Sequence, residues 1–353
     1  MILLISVIMN LIARTTPLLS HQNLFYPRRS LFPKFGQREI FCRFYSNSGD
    51  SDDVTKSGTS EQNSTYHPNS HSLHYNRLKD RLRSGLPLTG VVSGQYRDTD
   101  HIEMLGLLGY DFLWADAEHS SAGPDDIASM ILAAERRGLP TLVRIGYGYQ
   151  NIIGHVQKYL VSGAQGILLP QCESRDDVER IVKAVKFPPL GQRGLAGERW
   201  NAWGLAIDPS TSENLPLSKC IESANQNSIV GVLIENQIGL DALNEIMSVP
   251  ELDMIFLAPT DLSANMGLHG QIRHPEVLKK IKDAGRKIQR FNKEQGDENG
   301  IISMGTLVLN AEDYAYWREQ NFNVLCGVAQ CMFVDGARDL LRKIQDYEVR
   351  RAK

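Results

Sequence analysis

The feature that most constrains this chain is a repeat of unbroken apolar runs, most of them followed by a stretch of helical periodicity. The runs are GVVSGQ (90–95), DFLWADAE (111–118), LPTLVRIGYG (139–148), QGILLPQC (165–172), SIVGVLIEN (228–236), LDMIFLAPTDLS (252–263), NGIISMGTLVL (299–309) and FNVLCGVAQ (322–330). Helical periodicity marks DDIASMILAAERRG, NIIGHVQKYLVSG, SRDDVERIVKAVKF, QIGLDALNEIMSV, Pro275 to Gln295, AEDYAYWREQN and FVDGARDLLRKIQDYEVR. Strands that are apolar throughout, rather than alternately, are the mark of parallel strands covered on both faces. Gly138 and Gly163 stand where helices should stop. The pattern predicts an α/β fold, a (βα)8 TIM barrel. An open doubly wound sheet is the alternative, but no GxGxxG follows the first run. The last unit either closes the barrel or is exchanged with a neighbouring chain.

In such barrels the chemistry collects at the C-terminal ends of the strands. The second run ends in Asp116, Glu118 and His119, the third in Arg144, and the fourth in Gln171 and Cys172. The fifth ends in Glu235, and the sixth in Ala258, Pro259 and Asp261. A barrel mouth is small, so side chains from adjacent strands reach the same ion or small ligand. Two carboxylates with no lysine beside them repel, and a divalent cation relieves that repulsion. Glu235 and Asp261, completed by water and substrate oxygens, suit Mg²⁺ or Mn²⁺. No histidine or cysteine accompanies them, which argues against zinc. Taken singly, Glu235 reads as a helix cap and Asp261 as a turn residue; as a pair on neighbouring strands they read as metal ligands.

Arg144 ends an apolar strand and stays charged, so it needs an acidic partner such as Asp116 or the oxygen of a bound oxoacid. His119, beside Asp116 and Glu118, reads as a general base, with a plain loop histidine as the alternative. Gln171, Ala258 and Pro259 are the candidate substrate contacts, together with Arg144. Cys172 reads as a wall residue, because nothing around it suggests thiolate activation. The loop from Pro188 to Trp200 reads as a lid or substrate wall, its Arg193 and Arg199 facing an anionic substrate or a neighbouring subunit.

The net charge of -3 gives no reason to expect nucleic acid as a partner. The opening apolar stretch MILLISVIMNLIA is too short to span a bilayer. Cys42, Cys172, Cys220, Cys326 and Cys331 are scattered, with no CxxC pair, so neither a disulfide framework nor structural zinc is expected. The N-terminus carries Arg14, Arg28, Arg29, Lys34, Arg38 and Arg43 against the single acid Glu39, the composition of an organelle transit peptide. Arg43-Phe-Tyr-Ser46 looks like a mitochondrial cleavage site, cut after Tyr45. Residues 47–73 are polar and cannot order themselves by burial. The expected organisation is a transit peptide over 1–45, a disordered linker over 46–77 and the barrel over 78–353. The expected location is the mitochondrial matrix, with the chloroplast as the alternative.

DAEHSS, LVRIG, GAQGILLP, FPPLGQRG, VLIEN and LAPTDLSANMG together resemble the HpcH/HpaI aldolase family. These are metal-dependent class II pyruvate aldolases on a phosphoenolpyruvate/pyruvate-type barrel. The resemblance runs from about Leu78 to about Leu341, and with the leader it implies an organellar eukaryotic member. By position it implies Glu235 and Asp261 as metal ligands, His119 as base, Arg144 as the pyruvate-oxygen-binding arginine and Asp116 as the acidic partner nearby. Members are commonly hexamers with exchanged C-terminal helices, which implies a homo-oligomer, hexamer or trimer.

The chemistry implied is cleavage of a 4-hydroxy-2-oxo acid to pyruvate and an aldehyde, with the developing enolate stabilised by the cation and Arg144. Two other readings stand beside it. One is a lyase for a citramalyl- or malyl-CoA thioester, for which no basic cluster suited to the nucleotide is evident. The other is a barrel that binds an oxoacid but catalyses little. The chain departs from the family at Val161, where many relatives carry an aspartate that pairs with the histidine base. It departs again at Leu233, where bacterial relatives carry a glutamine, and in a shorter loop around Arg193.

Overall fold

A computed structural model describes residues 77–146, 152–208, 211–296 and 301–352. The expected leader, and the expected linker up to residue 76, lie outside the described residues.

The chain enters through helix α1 (Arg77–Arg83) and strand β1 (Leu88–Ser93). It continues through α2 (Thr99–Leu107), β2 (Phe112–Asp116), α3 (Pro124–Glu135), β3 (Thr141–Arg144), α4 (Ile152–Val161), β4 (Gly166–Leu169) and α5 (Arg175–Val185). A loop with a short 3-10 segment (Arg199–Gly204) leads to α6 (Leu217–Asn227) and β5 (Ile229–Ile234). Then come α7 (Gln237–Asp241), α8 (Leu243–Met247), β6 (Met254–Leu257), α9 (Pro259–Asn265) and α10 (Pro275–Gln295). The chain ends with β7 (Ser303–Leu307), α11 (Ala311–Glu319), β8 (Val324–Val328) and α12 (Ala329–Arg351). The strands form a closed parallel barrel in sequential order. The chain's own β8 pairs with β1, with Val91 opposite Gly327, so the last strand closes the barrel.

Local chemistry accounts for the boundaries. Asn236 and Asn310 cap α7 and α11, their side chains accepting from the backbone N–H of Gly239 and Asp313. Pro275 opens α10, which runs over the predicted span. Pro259 does the same for α9, so the sixth apolar run is not one long strand: β6 stops at Leu257 and APTDLS turns helical. Helices α1, α2 and α6 escaped the sequence reading, because α1 is only about two turns long and α6 has few large apolar residues.

Two cores follow from strand alternation. Alternate side chains point into the barrel, where Phe112, Trp114, Leu142, Leu168, Leu233 and Phe256 interlock. Their neighbours Leu113, Val143, Ile167 and Val232 point outward into the layer beneath the helices. The interior is tight enough that a β-carbon at Gly90 would collide with the Phe112 ring. One step further along four of these strands, the inward positions become Asp116, Arg144, Glu235 and Ala258.

Helix α1 corks the opposite end. Leu78 and Leu82 join the inner core, and the buried Lys79 Nζ donates to the Ser228 carbonyl at 2.6 Å and to Asp253 Oδ2 at 3.1 Å. With that end closed, the interior opens at the C-terminal ends of the strands.

The loop from Pro188 to Trp200 corrects the lid expectation. It leaves the C-terminus of α5, so it lies at the corked end rather than over the mouth. Arg193 is buried there, and Arg199 pairs with Glu135 at 2.6 Å. Cys172 also differs from expectation: it packs in the outer core, and burial pushes its thiol up to about 12. Among the described residues the cysteines are free, and no helix is long and apolar enough to cross a membrane.

Candidate active site

A cavity of about 250 Å³ opens at the barrel mouth, walled by Trp114, Leu233, Phe256 and Leu307 and carrying Asp116, His119, Arg144, Glu235, Ala258 and Asp261. Its floor is rigid: Trp114 meets Phe256 edge to face at 4.8 Å, and the Arg144 guanidinium lies 5.4 Å above the Trp114 ring.

Asp116 and Arg144 are register partners on β2 and β3. Arg144 Nε donates to Asp116 Oδ1 at 2.9 Å and Nη2 donates to Oδ2 at 2.6 Å, a bidentate clamp. Asp116 Oδ1 also accepts from the backbone N–H of Glu118 at 3.0 Å and of His119 at 3.4 Å, which folds DAEHSS back over the strand end. Burial works against the Arg144 charge, but the hydrogen bond and charge of Asp116, with Glu118 and Glu235, outweigh it and hold its pKa above the usual value.

Glu118, which the sequence flagged without a role, turns toward Arg144 as a fourth acid beside Asp116, Glu235 and Asp261. Its Oε2 is 3.1 Å from Arg144 Nη1, close enough for attraction but not aligned as a hydrogen bond. Burial pushes its carboxyl up to about 7; Arg144 opposes the rise, and Asp116 and Asp261 add to it. Its place is set by the turn rather than by strand alternation, since β2 ends at Asp116 and the Glu118 N–H donates back to Asp116 Oδ1.

Glu235 is 2% exposed. It caps no helix, since Asn236 fills that role. Its Oε2 accepts from the Gln171 backbone N–H at 2.7 Å, while Oε1 is buried with no hydrogen-bond partner among the described residues. Burial pushes this carboxyl up to about 7 as well; the Gln171 N–H opposes the rise, and the charges of Glu118 and Asp261 add to it. Asp261 sits half-buried in the first turn of α9.

His119 stands at the rim with its side chain 60% exposed, its Nε2 3.7 Å from Glu118 Oε2. Ala258 lines the cavity. Gln171 reaches the site through its backbone, held at a φ of 52°. Pro259 opens α9 and lines a neighbouring cavity with Arg273 and Trp317. Val161 is the last residue of α4, which has by then run to the corked end, so within one chain it is not beside His119.

Among the described residues, no group of three or more His, Cys, Asp or Glu side chains is arranged to hold a metal ion. A site here would rest on two carboxylates. The orphaned, buried Glu235 Oε1 and the mutual repulsion of Glu118, Glu235 and Asp261 suit a hard cation that brings its own water ligands.

Comparison with known proteins gives the family and the same barrel fold. A family model described as HpcH/HpaI aldolase/citrate lyase matches residues 95–327. The chain is 32% identical over 240 residues to a hydroxypyruvate/pyruvate aldolase of Sagittula stellata, covering 68% of this chain and 87% of that protein. It is 29% identical over 228 residues to a 2-keto-3-deoxy-L-rhamnonate aldolase of Escherichia coli, covering 64% and 79%. Among solved structures, an HpcH/HpaI aldolase/citrate lyase family protein from Burkholderia cenocepacia superposes with a TM-score of 0.64 at 27% identity, covering 77% of this chain and 100% of that one.

Proposed function

The chain belongs to the HpcH/HpaI aldolase/citrate lyase family and is a carbon–carbon lyase of the aldolase type, and from that premise we propose that it cleaves a 4-hydroxy-2-oxo acid to pyruvate and an aldehyde with the help of a divalent metal. One observation carries the metal: among the described residues the buried Glu235 Oε1 has no hydrogen-bond partner, and it faces a mouth whose described acids outnumber its arginine, Arg144. Glu235 and Asp261 would hold Mg²⁺ or Mn²⁺, and the ion would supply Lewis-acid stabilisation of negative charge.

The chain's own residues account for the rest. Arg144 has five N–H groups and commits only some of them to Asp116, leaving others for the carboxylate and keto oxygens of the substrate. Because Asp116 and Trp114 fix it, it meets the developing enolate charge without reorganising. His119, exposed at the rim, takes the proton of the 4-hydroxyl, and the carbon–carbon bond then breaks with the electron pair moving toward the keto oxygen. Trp114, Leu233 and Phe256 keep bulk water from the enolate, and the proton taken up by His119 returns to C3 of the enolate to give pyruvate.

Pyruvate release by the purified chain, measured with divalent metal and with chelator, tests the proposal. Metal-dependent release from a hydroxy-oxo acid supports it. Release only from a CoA thioester would make the chain a thioester lyase, and binding without turnover would leave it an oxoacid-binding barrel.

The same reading extends to assembly and location. We propose a homo-oligomer, hexamer or trimer, built through α12, whose Leu340, Leu341, Ile344 and Tyr347 are exposed among the described residues. The leader's composition supports the mitochondrial matrix, with the chloroplast second. Residues 1–77 fused to a fluorescent protein should carry it into mitochondria.

A further inference from the structure

At the corked end, a second cavity of about 80 Å³ lies against Gln165, Arg193, Arg199, Trp200 and Asn227. Arg193 is 5% exposed. Its guanidinium is 4.5 Å from the Phe187 ring and 5.7 Å from the Trp200 ring, and those rings are themselves 4.6 Å apart, so an aromatic pair lies against one side of it. Its Nε and Nη2 are buried and have no hydrogen-bond partner among the described residues. Arg199 differs, with its Nη2 donating to Glu135 Oε2 at 2.6 Å and Nη1 to the Ser162 carbonyl at 2.5 Å. The lining holds two arginines and one acid, Glu135, which is paired with Arg199, and Glu198 outside the lining acts on the charge of Arg193 without bonding to it. None of these groups takes part in the chemistry at the mouth.

Buried N–H groups of a charged guanidinium are costly to leave unpaired, so the edge of Arg193 calls for an acceptor. The cavity admits one compact group rather than a nucleotide. We propose that this cavity is an anion site in which Arg193 binds a small oxyanion of the phosphate type through the unpaired Nε and Nη2 of its guanidinium. The aromatic pair beside Arg193 and its burial restrict where the guanidinium can move.

Inorganic phosphate titrated into the intact protein, followed by calorimetry, tests the site. Saturable binding is expected. Arg193→Gln should weaken it by about tenfold or more, the loss expected for a charge-assisted pair. Should Arg193→Gln fail to fold, Ala224→Phe fills the same cavity from α6 while leaving both arginines in the chain, and it should abolish the binding as well. Phosphate binding that survives in a folded Ala224→Phe protein would place the anion elsewhere and overturn the proposal. So would no saturable binding to the wild type, or a crystal structure in which Glu198, whose buried Oε2 also lacks a hydrogen-bond partner among the described residues, has closed onto Arg193.

Discussion

Asp116 grips Arg144 through two parallel hydrogen bonds, Nε to Oδ1 at 2.9 Å and Nη2 to Oδ2 at 2.6 Å, between the adjacent tips of β2 and β3. The guanidinium is thus held by its partner strand before any substrate arrives. Lysine carries the charge but not the planar fork, and it cannot hold Asp116 in two places while reaching an oxoacid. Arg144→Lys should lower kcat/KM by about a hundredfold, corresponding to about 3 kcal/mol of transition-state stabilisation. Wild-type kinetics in that variant would reduce Arg144 to a structural residue.

Glu235 separates stability from activity. Its carboxyl is buried and pushed up to about 7, so the charged form is a burden on the metal-free protein. Glu235→Gln keeps the shape and the acceptor for the Gln171 N–H and removes that charge. We expect metal-dependent activity to be lost while the melting temperature in chelator at pH 8 holds or rises. Retained activity would remove Glu235 as a metal ligand.

The pH dependence follows from the same groups. Glu118 and Glu235 both have folded pKa values raised to about 7 from an ordinary 4.5. A carboxyl raised in this way favours the folded state below its unfolded pKa, and that advantage drains away as pH climbs to the folded value. In chelator, stability should fall between about pH 4.5 and 7 by up to about 3 kcal/mol per carboxyl and then level off. The two falls are not additive, because the carboxyls repel each other. Mg²⁺ or Mn²⁺ should flatten the curve and release protons on binding. Scanning calorimetry between pH 5 and 8.5 decides this, and a melting temperature that climbs across that window in chelator contradicts the assignment.

Assembly can be probed on α12. Leu340 and Ile344 are 60% and 49% exposed and stand one turn apart on one face of that helix. Replacing both with aspartate should leave the barrel folded and shift light-scattering mass to that of the single chain. An unchanged oligomer would mean that subunits meet elsewhere.

The barrel was legible because parallel strands buried on both faces must be apolar throughout, and such runs recur at regular intervals from residue 90 onward. Period-two placement carried the site: Trp114 and Leu233 face inward, so Asp116 and Glu235 must also. Less legible were features that depend on the backbone in three dimensions. The left-handed Gln171 delivers an N–H to Glu235, and no side-chain pattern announces it. Glu118 lies past the end of β2, and only the turn closed by Asp116 tips it back inward. The loop around Arg193 was assigned to the mouth by its length and glycines, although a segment that follows a helix in this topology emerges at the other end.

The cork also sets a limit on processing. A maturation protease that trimmed the chain beyond Arg77 would remove Leu78 from the inner core and the amine that neutralises the buried Asp253. Losing one partner of such a pair costs about 3–5 kcal/mol, enough to unseat many domains. Any mature N-terminus, natural or recombinant, is therefore expected to begin upstream of α1, however much of the preceding polar stretch is discarded.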